Sequence, residues 1–357
     1  MTLAGHWLTP YTLEPLQWLV LVWLLVRWLR LRDDRLLLAL GAVAGIAAQT
    51  KFQVLLLCAI LLGSVLVFGP RELLRRPMLW AGVAIGALIA LPTLLWQALN
   101  DWPQLKMGAV VASEAEALYG GRPGIAVALI ILAGVAGTVL SLYGLWRLLR
   151  AAELRAYRFL AVTFLVLYVF FVATAGRPYY LNGLYELLAA AGALGLQRRG
   201  EADRHRWRWF AWPAYAVVAA AAAGMLVLSS SLAQPDVSAG IAQRVGAAYH
   251  SLSPGDREHT AIMAESYILA AFVEVYSSEY DTPGAYSSNR SYGYFPPPAE
   301  AQHTVLYVGS SPDEVRPYFD RVSKIADDGE DVSVWLCTGK RETWASLWPR
   351  LRHLSVS

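Results

Sequence analysis

The chain has 357 residues, of which 56% are hydrophobic and only 16% charged, against roughly 25% charged in an ordinary soluble domain. So little charge cannot cover a soluble globule of this size, so lipid must act as solvent for much of the chain; disorder, a collagen-like fibre and nucleic-acid binding are excluded together. The net charge of +3 hides an asymmetry, with 20 Lys+Arg against 11 Asp+Glu in residues 1–232 and 10 against 16 in residues 233–357.

A membrane span needs about 20 mostly apolar residues, fewer where other helices bury its ends. Eight segments are predicted to qualify, at about 12–31, 36–50, 52–69, 79–99, 124–146, 158–175, 179–196 and 211–231. The second and seventh are short and rich in Ala and Gly, which suits interior helices that approach one another closely. Gln49, Thr50 and Lys51 interrupt the run from 36 to 69 and predict a turn at an interface. Residues 100–122 read as a loop.

Basic residues fall unevenly in the gaps. Arg27, Arg30, Arg32, Arg35, Arg71, Arg75, Arg76, Arg147, Arg150, Arg155, Arg158, Arg198, Arg199, Arg204, Arg206 and Arg208 share one side, 16 in all, against Lys51, Lys106, Arg122 and Arg177 on the other. The positive-inside rule puts the first group in the cytoplasm. The 16 arginines read as topology determinants that also touch anionic lipid. Lys51, the 100–122 loop, Arg177 and the tail are then expected outside. Met1 is followed at once by an outward-facing stretch with no signal peptide or positive n-region, so the expectation is that upstream spans are missing.

The tail has another pattern. Residues 260–276 have helical apolar spacing, 304–309 and 332–337 read as short strands, 280–298 as loop, and 312–326 as a helix. The expected fold is a polytopic α-helical membrane protein of about eight transmembrane helices (1–231, incomplete at its N-terminus) with a small C-terminal soluble α/β domain (232–357). Cys58 and Cys337 are expected not to pair. The six histidines show no metal-ligand spacing, no phosphate-binding glycine loop or GxSxG elbow is present, and no cofactor is evident, although a divalent metal stays open.

The informative residues are polar ones at span ends. Lys51, one of four lysines against 26 arginines, is costly at that depth unless paired or solvated. It either binds the phosphate of a lipid carrier or snorkels to the interface. Arg177 beside Tyr179 and Tyr180 offers a phosphate fork and aromatic faces, or equally an interfacial belt with an anchoring arginine. Glu186, about a turn and a half into a span, either faces a wet cavity or pairs with Arg177. Glu14, after His6, Thr9, Tyr11 and Thr12, is a rim carboxylate or a first-turn glutamate favoured by the helix dipole. Asp101, Glu114 and Glu116 are exposed loop candidates. Trp80, Trp96 and Trp102 mark interfaces. Tyr286, Asn289, Tyr292 and Tyr294 either bind glycan or pack on their own domain.

Several stretches resemble bacterial membrane glycosyltransferases of family 39, the group of protein O-mannosyltransferases and aminoarabinose transferases. They are Asp34-Arg35-Leu36 through Gly41–Gly45 to Thr50-Lys51-Phe52; Leu91-Pro92-Thr93-Leu94-Leu95-Trp96-Gln97 with Asp101-Trp102-Pro103; Gly176-Arg177-Pro178-Tyr179-Tyr180-Leu181; and the opening Gly5-His6-Trp7-Leu8-Thr9 with Leu13-Glu14. In the tail, Ala264–Tyr267, Asn289–Tyr292 and Val334–Cys337 are similar to a subgroup with a soluble outer domain. The resemblance implies sugar transfer outside a bacterial inner membrane, from a polyprenyl-phosphate donor to an unknown protein, lipid or glycan acceptor. It implies Lys51 as donor-phosphate ligand, and Arg177, Tyr179 and Tyr180 as lining of the carrier pocket. The family's acidic first outer loop would lie before Met1, so the general base is expected upstream and the chain is expected to be inactive alone. The family's lysine and proline are replaced here by Arg177 and Glu186. A non-enzymatic reading stays open, either a lipid-carrier transporter or flippase, or an anchor for the outer domain.

Overall fold

The computed structural model describes residues 10–202, 204–232, 235–327 and 332–354. His6 and Thr9 lie outside them, as does the side chain of Tyr11. Two compact units are present, Met1–Ser231 and Leu232–Ser357.

The first unit is helical: α1 (Pro10–Leu31), α2 (Arg35–Thr50), α3 (Gln53–Phe68), α4 (Pro77–Leu99), α5 (Pro103–Ser113), α6 (Ala115–Tyr119), α7 (Gly121–Ile131), α8 (Gly134–Arg150), α9 (Arg158–Ala173), α10 (Asn182–Ala202) and α11 (Arg204–Leu232). Helices occupy each segment expected to span, but the count of eight is not reproduced. Thr12–Leu31, Pro77–Leu99 and Ala152–Ala173 are long and apolar enough to cross a membrane. α2 and α3 have 16 residues each, about 24 Å at 1.5 Å per residue, short of a hydrocarbon core of about 30 Å. The segment read as one span at 124–146 is two helices, α7 and α8, bent by 88°. The break precedes Gly134, which has φ 74°, a conformation with little steric cost only for glycine. If that pair is one broken span, four crossings qualify.

The 100–122 segment is also helical, not a loop. Asp101 and Trp102 both adopt left-handed backbone, φ 59° and 54°, which turns the chain sharply from α4 into α5. Buried Gln97 organises this turn: its carbonyl accepts from the Trp102 N–H at 2.8 Å, and its side-chain oxygen accepts from the Gln104 N–H at 3.1 Å. The Leu91–Gln97 and Asp101–Pro103 motifs are thus joined by one structural device.

α2 and α4 meet through glycines four apart on each helix. A Cβ at Gly41 would collide with the Gly82 carbonyl, and one at Gly86 would lie 2.7 Å from the Gly41 oxygen. Only hydrogen side chains permit that approach. The core of this unit is built on Trp18, Trp28, Leu37, Leu57, Phe159 and Leu160, each at most 1% exposed.

The second unit runs α12 (Pro235–His250), α13 (Pro254–Glu258), β1 (Thr260–Ala264), α14 (Tyr267–Val275), β2 (Ala285–Tyr286), β3 (Thr304–Gly309), β4 (Phe319–Ala326), β5 (Ser333–Lys340) and α15 (Trp344–Leu351). The sheet order is β2-β1-β3-β5-β4. β1 pairs in parallel with β2 and β3, with Ile262 opposite Leu306, while β3–β5 and β5–β4 are antiparallel. Ile262, Ala264, Leu306 and Val308 face α12 and α14. The alternate residues Ala261, Met263, Val305 and Tyr307 face Trp344, Leu347 and Trp348 of α15.

Two expectations fail here. Residues 260–276 are a strand followed by a helix, because a strand buried on both faces reads as a continuous apolar run without period-2 alternation. Residues 312–326 are 3₁₀ turns and the edge strand β4, whose exposed charges, Asp320, Arg321 and Lys324, suit an unpaired edge. The strands at 304–309 and 333–340 appear where short strands were expected. Within the 280–298 loop only the two-residue β2 and a 3₁₀ turn at Arg290–Tyr294 are regular. Cys58 and Cys337 are both free.

Candidate functional site

The polar break after α2 staples three helices. Lys51 is extended (φ −162°, ψ 127°) and donates its N–H to Ala47 O at 2.9 Å, ending the helix. Gln49 donates to the Ile89 carbonyl and accepts from Thr93, both on α4. The Thr50 hydroxyl accepts from Gln17 of α1 at 2.8 Å. Lys51 Nζ donates to Glu14 Oε2 of α1 at 2.7 Å, with side chains 17% and 5% exposed. The sequence marked both residues but did not pair them. A lone charge at this depth is costly, and each offsets the other. The ammonium also lies 4.4 Å from the Tyr180 ring centroid and 5.1 Å from that of Tyr179, within cation–π range. Among the described residues, Glu14 Oε1 is buried with no hydrogen-bond partner.

The second half comes from the turn after α9. Ala175 is left-handed (φ 51°), and the Gly176 N–H closes the helix onto Phe171 O at 2.8 Å. The chain then enters the 3₁₀ turn Pro178–Leu181, where Tyr180 N–H donates to Arg177 O at 3.1 Å. Tyr180 packs edge-on to Tyr179 and Phe171, centroids 5.2 and 5.1 Å away. Arg177 is 8% exposed. Its Nη2 pairs with Glu114, and its guanidinium stands 5.7 Å over the Tyr119 ring. Its Nη1 is buried without a hydrogen-bond partner among the described residues. Arg177, Glu14, Tyr119 and Gln53 all act electrostatically on the Tyr180 hydroxyl. Tyr180 therefore joins two ion pairs, Glu14–Lys51 and Glu114–Arg177, into one polar centre.

Glu186 does not join it. Of the two readings offered for Glu186, the pair with Arg177 is not seen among the described residues, where Arg177 pairs with Glu114. Glu186 Oε2, on the second turn of α10, has no hydrogen-bond partner among the described residues. Glu114, by sequence an exposed loop candidate, lies between α5 and α6, which carry it to Arg177. Tyr119 and Gln53 carried no sequence signal beyond nearness to span ends. Asp101 and Glu116 remain exposed. Trp80, Trp96 and Trp102 are 54%, 42% and 43% exposed.

In the second unit, β1 lies between two parallel neighbours, so β1 and β3 form a switch point where α/β folds place ligands at strand carboxyl ends. Glu265, just after β1, accepts from Ser310 N at 2.6 Å. Glu314 accepts from Ser288 at 2.8 Å and Tyr307 at 3.0 Å, and faces His353 at 3.4 Å. Burial pushes the Tyr307 phenol up. The Glu314 hydrogen bond raises His353 above its ordinary value, against a smaller opposing effect of burial. The tail's aromatic and amide candidates pack inward: Asn289 is fully buried and accepts from Tyr267 N–H, Tyr286 meets Trp348, and Arg352 covers Tyr294. Among the described residues, no group of three or more His, Cys, Asp or Glu side chains could hold a metal.

Residues 1–96 match a family model described as dolichyl-phosphate-mannose-protein mannosyltransferase. That stretch holds α1 to α3 and most of α4, with Glu14, Lys51 and the Leu91–Trp96 motif inside it. Arg177, the tyrosine pair and the tail motifs lie beyond it. No curated protein and no solved structure matches the chain.

Proposed function

We propose that the chain is a membrane glycosyltransferase, or a portion of one, that takes a sugar from a polyprenyl-phosphate donor at the extracytoplasmic side. The carrying observation is that Tyr180 touches both cationic residues: its ring lies 4.4 Å from the half-buried Lys51 ammonium, and its backbone N–H donates to the carbonyl of buried Arg177. As it stands each cation is neutralised by a carboxylate. Arg177 keeps an unused N–H, and Lys51 has two donors beyond the one on Glu14. A phosphodiester can therefore be held without displacing either carboxylate, which lets the site discriminate for a single added negative charge. The family description names a dolichyl-phosphate sugar, which is this ligand chemistry.

In the proposed transfer, an acceptor hydroxyl attacks the anomeric carbon, the bond from that carbon to the phosphate oxygen breaks, and the carrier phosphate leaves with the electron pair. Lys51 and Arg177 stabilise the growing charge on the leaving oxygen. Tyr179 and Tyr180 flank the carrier. In this reading Glu14, whose Oε1 has no hydrogen-bond partner among the described residues, takes the hydroxyl proton, in place of the base that the family resemblance put upstream of Met1. Incubating membranes that contain the full chain with labelled donor tests this. Free carrier phosphate should appear as acceptor is labelled, and should not appear with Lys51→Ala or Arg177→Ala. Equal release from wild type and both variants refutes the reading.

A second reading has one observation behind it. The 88° break between α7 and α8 is the kind of discontinuous helix that lines transporter sites. A flippase would move labelled lipid between leaflets and release no carrier phosphate.

A further inference from the structure

At the arginine-rich end of α8 and α10, away in sequence and in residues from the Tyr180 centre, an open pocket of about 470 Å³ is walled by both helices and the turn that follows α8. Arg147 forms its floor. It is 6% exposed, donates to Ala191 O at 2.7 Å and pairs with Glu153 at 2.9 Å. Gly195 makes room for it, since a Cβ there would lie 2.7 Å from Arg147 Nε. Glu153 also faces Arg198 at 3.6 Å, so one carboxylate is shared by two guanidinium groups. Arg150 and Arg199 add two more positive charges to the lining. The pocket thus carries four arginines against one glutamate and holds a net positive charge.

What anion it takes is indicated by the helix that leads to it. On α8, Val135, Val139, Leu142 and Trp146 are 71%, 60%, 50% and 53% exposed. Their spacing puts them on one helix face, an apolar stripe that ends at Trp146 on the pocket wall. Trp146 stacks on Tyr143 at 5.9 Å, and Arg199 lies 5.1 Å over the Tyr143 ring. A greasy track that ends in a guanidinium-lined, aromatic-edged cup fits a molecule with acyl chains and an anionic head. Guanidinium groups suit phosphate oxygens by their paired N–H donors, and basic pockets between membrane helices are a recognised place for anionic headgroups.

We propose that this pocket holds the phosphodiester headgroup of an anionic membrane lipid, with its acyl chains along the Val135–Trp146 stripe. Arg147 is the structural base, and Arg150 and Arg199 are the lipid-binding cations. The proposal does not depend on sugar transfer. Its test uses the full chain in nanodiscs and compares retention of dioleoylphosphatidylglycerol with dioleoylphosphatidylcholine by native mass spectrometry. Wild type should retain the anionic lipid preferentially, and retention should fall about fivefold for each arginine removed in Arg150→Gln/Arg199→Gln. Should the double variant not fold, Arg150→Gln alone, at an exposed last-turn position, carries the test with its single fivefold drop. No preference in wild type, or unchanged retention in a folded variant, overturns the proposal. Displacement of the lipid by millimolar inorganic phosphate overturns it too, since the site would then take a soluble anion.

Discussion

Glu14 of α1 and Lys51 at the end of α2 hold one another at 2.7 Å across 37 positions of sequence, under the faces of two tyrosines. The pair does two things that can be separated. It neutralises two buried charges, and it leaves donors for a ligand. Removing one partner strands the other, at a cost of about 3–5 kcal/mol. Glu14→Ala and Lys51→Ala should therefore each lower the unfolding temperature in detergent. The double change Glu14→Leu/Lys51→Met should restore most of it, since a packed apolar pair is often as stable as a buried ion pair. If the pair serves a donor phosphate, the restored double variant should still release no carrier phosphate. A stable double variant with wild-type release would leave the pair a purely structural role.

The α2–α4 contact gives a sharper structural expectation. Gly82→Val would drive a side chain into the Leu37 carbonyl across the interface, and overpacking of this kind costs about 1–3 kcal/mol. Gly63 lies on α3 with nothing within 4 Å of a Cβ built on it, so Gly63→Ala should be neutral or stabilising by up to about 1 kcal/mol. Thermal unfolding of the two variants side by side checks this. Equal loss from both would mean the helices do not pack through their glycines.

These particulars show how far the residues could be read unaided. Apolar segments stand out because lipid demands a uniform surface, so a helix occupies every segment that hydropathy marked. Hydropathy says nothing of bends, and the break before Gly134 passed unnoticed inside one apolar run. Lys51 was conspicuous as a lone ammonium. Its bond to Glu14 was not, because pairing between helices depends on rotation about each axis. Glu114 was named as a candidate but its partner was not foreseen: its Ala-, Ser- and Gly-rich surroundings looked like loop, whereas α5 and α6 fold there and carry it to Arg177. In the tail, β1 lost its alternation because both faces are buried, and β4 lost it because both are largely exposed.

The tail should respond to pH through His353. Its backbone bridges Asn289, and its N–H donates to Ser288 O at 3.3 Å, which clamps the chain after the last helix onto the 288–290 segment. The Glu314 hydrogen bond raises the folded-state value above the ordinary 6.5. A raised cationic group stabilises fully below its unfolded value and loses that contribution as pH climbs through its folded value. The clamp should therefore be firmest below pH 6.5 and loosen above it. Hydrogen exchange of a peptide covering 287–294 in the full chain, corrected for intrinsic rates, should show falling protection from pH 6 to 8. Glu314→Gln should flatten that slope, and an unchanged slope would remove His353 as its source.

Sidedness can be measured with the chain's own chemistry. Burial pushes the Cys337 thiol up to about 12, and the residue is fully buried, so it stays protonated and shielded from maleimide at neutral pH. With Cys58→Ser as background, Lys106→Cys and Arg155→Cys place single thiols at exposed positions on opposite sides of the arginine bias. An impermeant maleimide applied to intact spheroplasts should label Lys106→Cys and should label Arg155→Cys only after permeabilisation. In a bundle obeying the positive-inside rule, that result puts the α4–α5 turn outside, and with it the Glu114 side of the Arg177 pair. The opposite labelling would turn the Tyr180 centre toward the cytoplasm, where an extracytoplasmic sugar transfer has no acceptor, and would place the basic pocket of α8 and α10 in the outer leaflet.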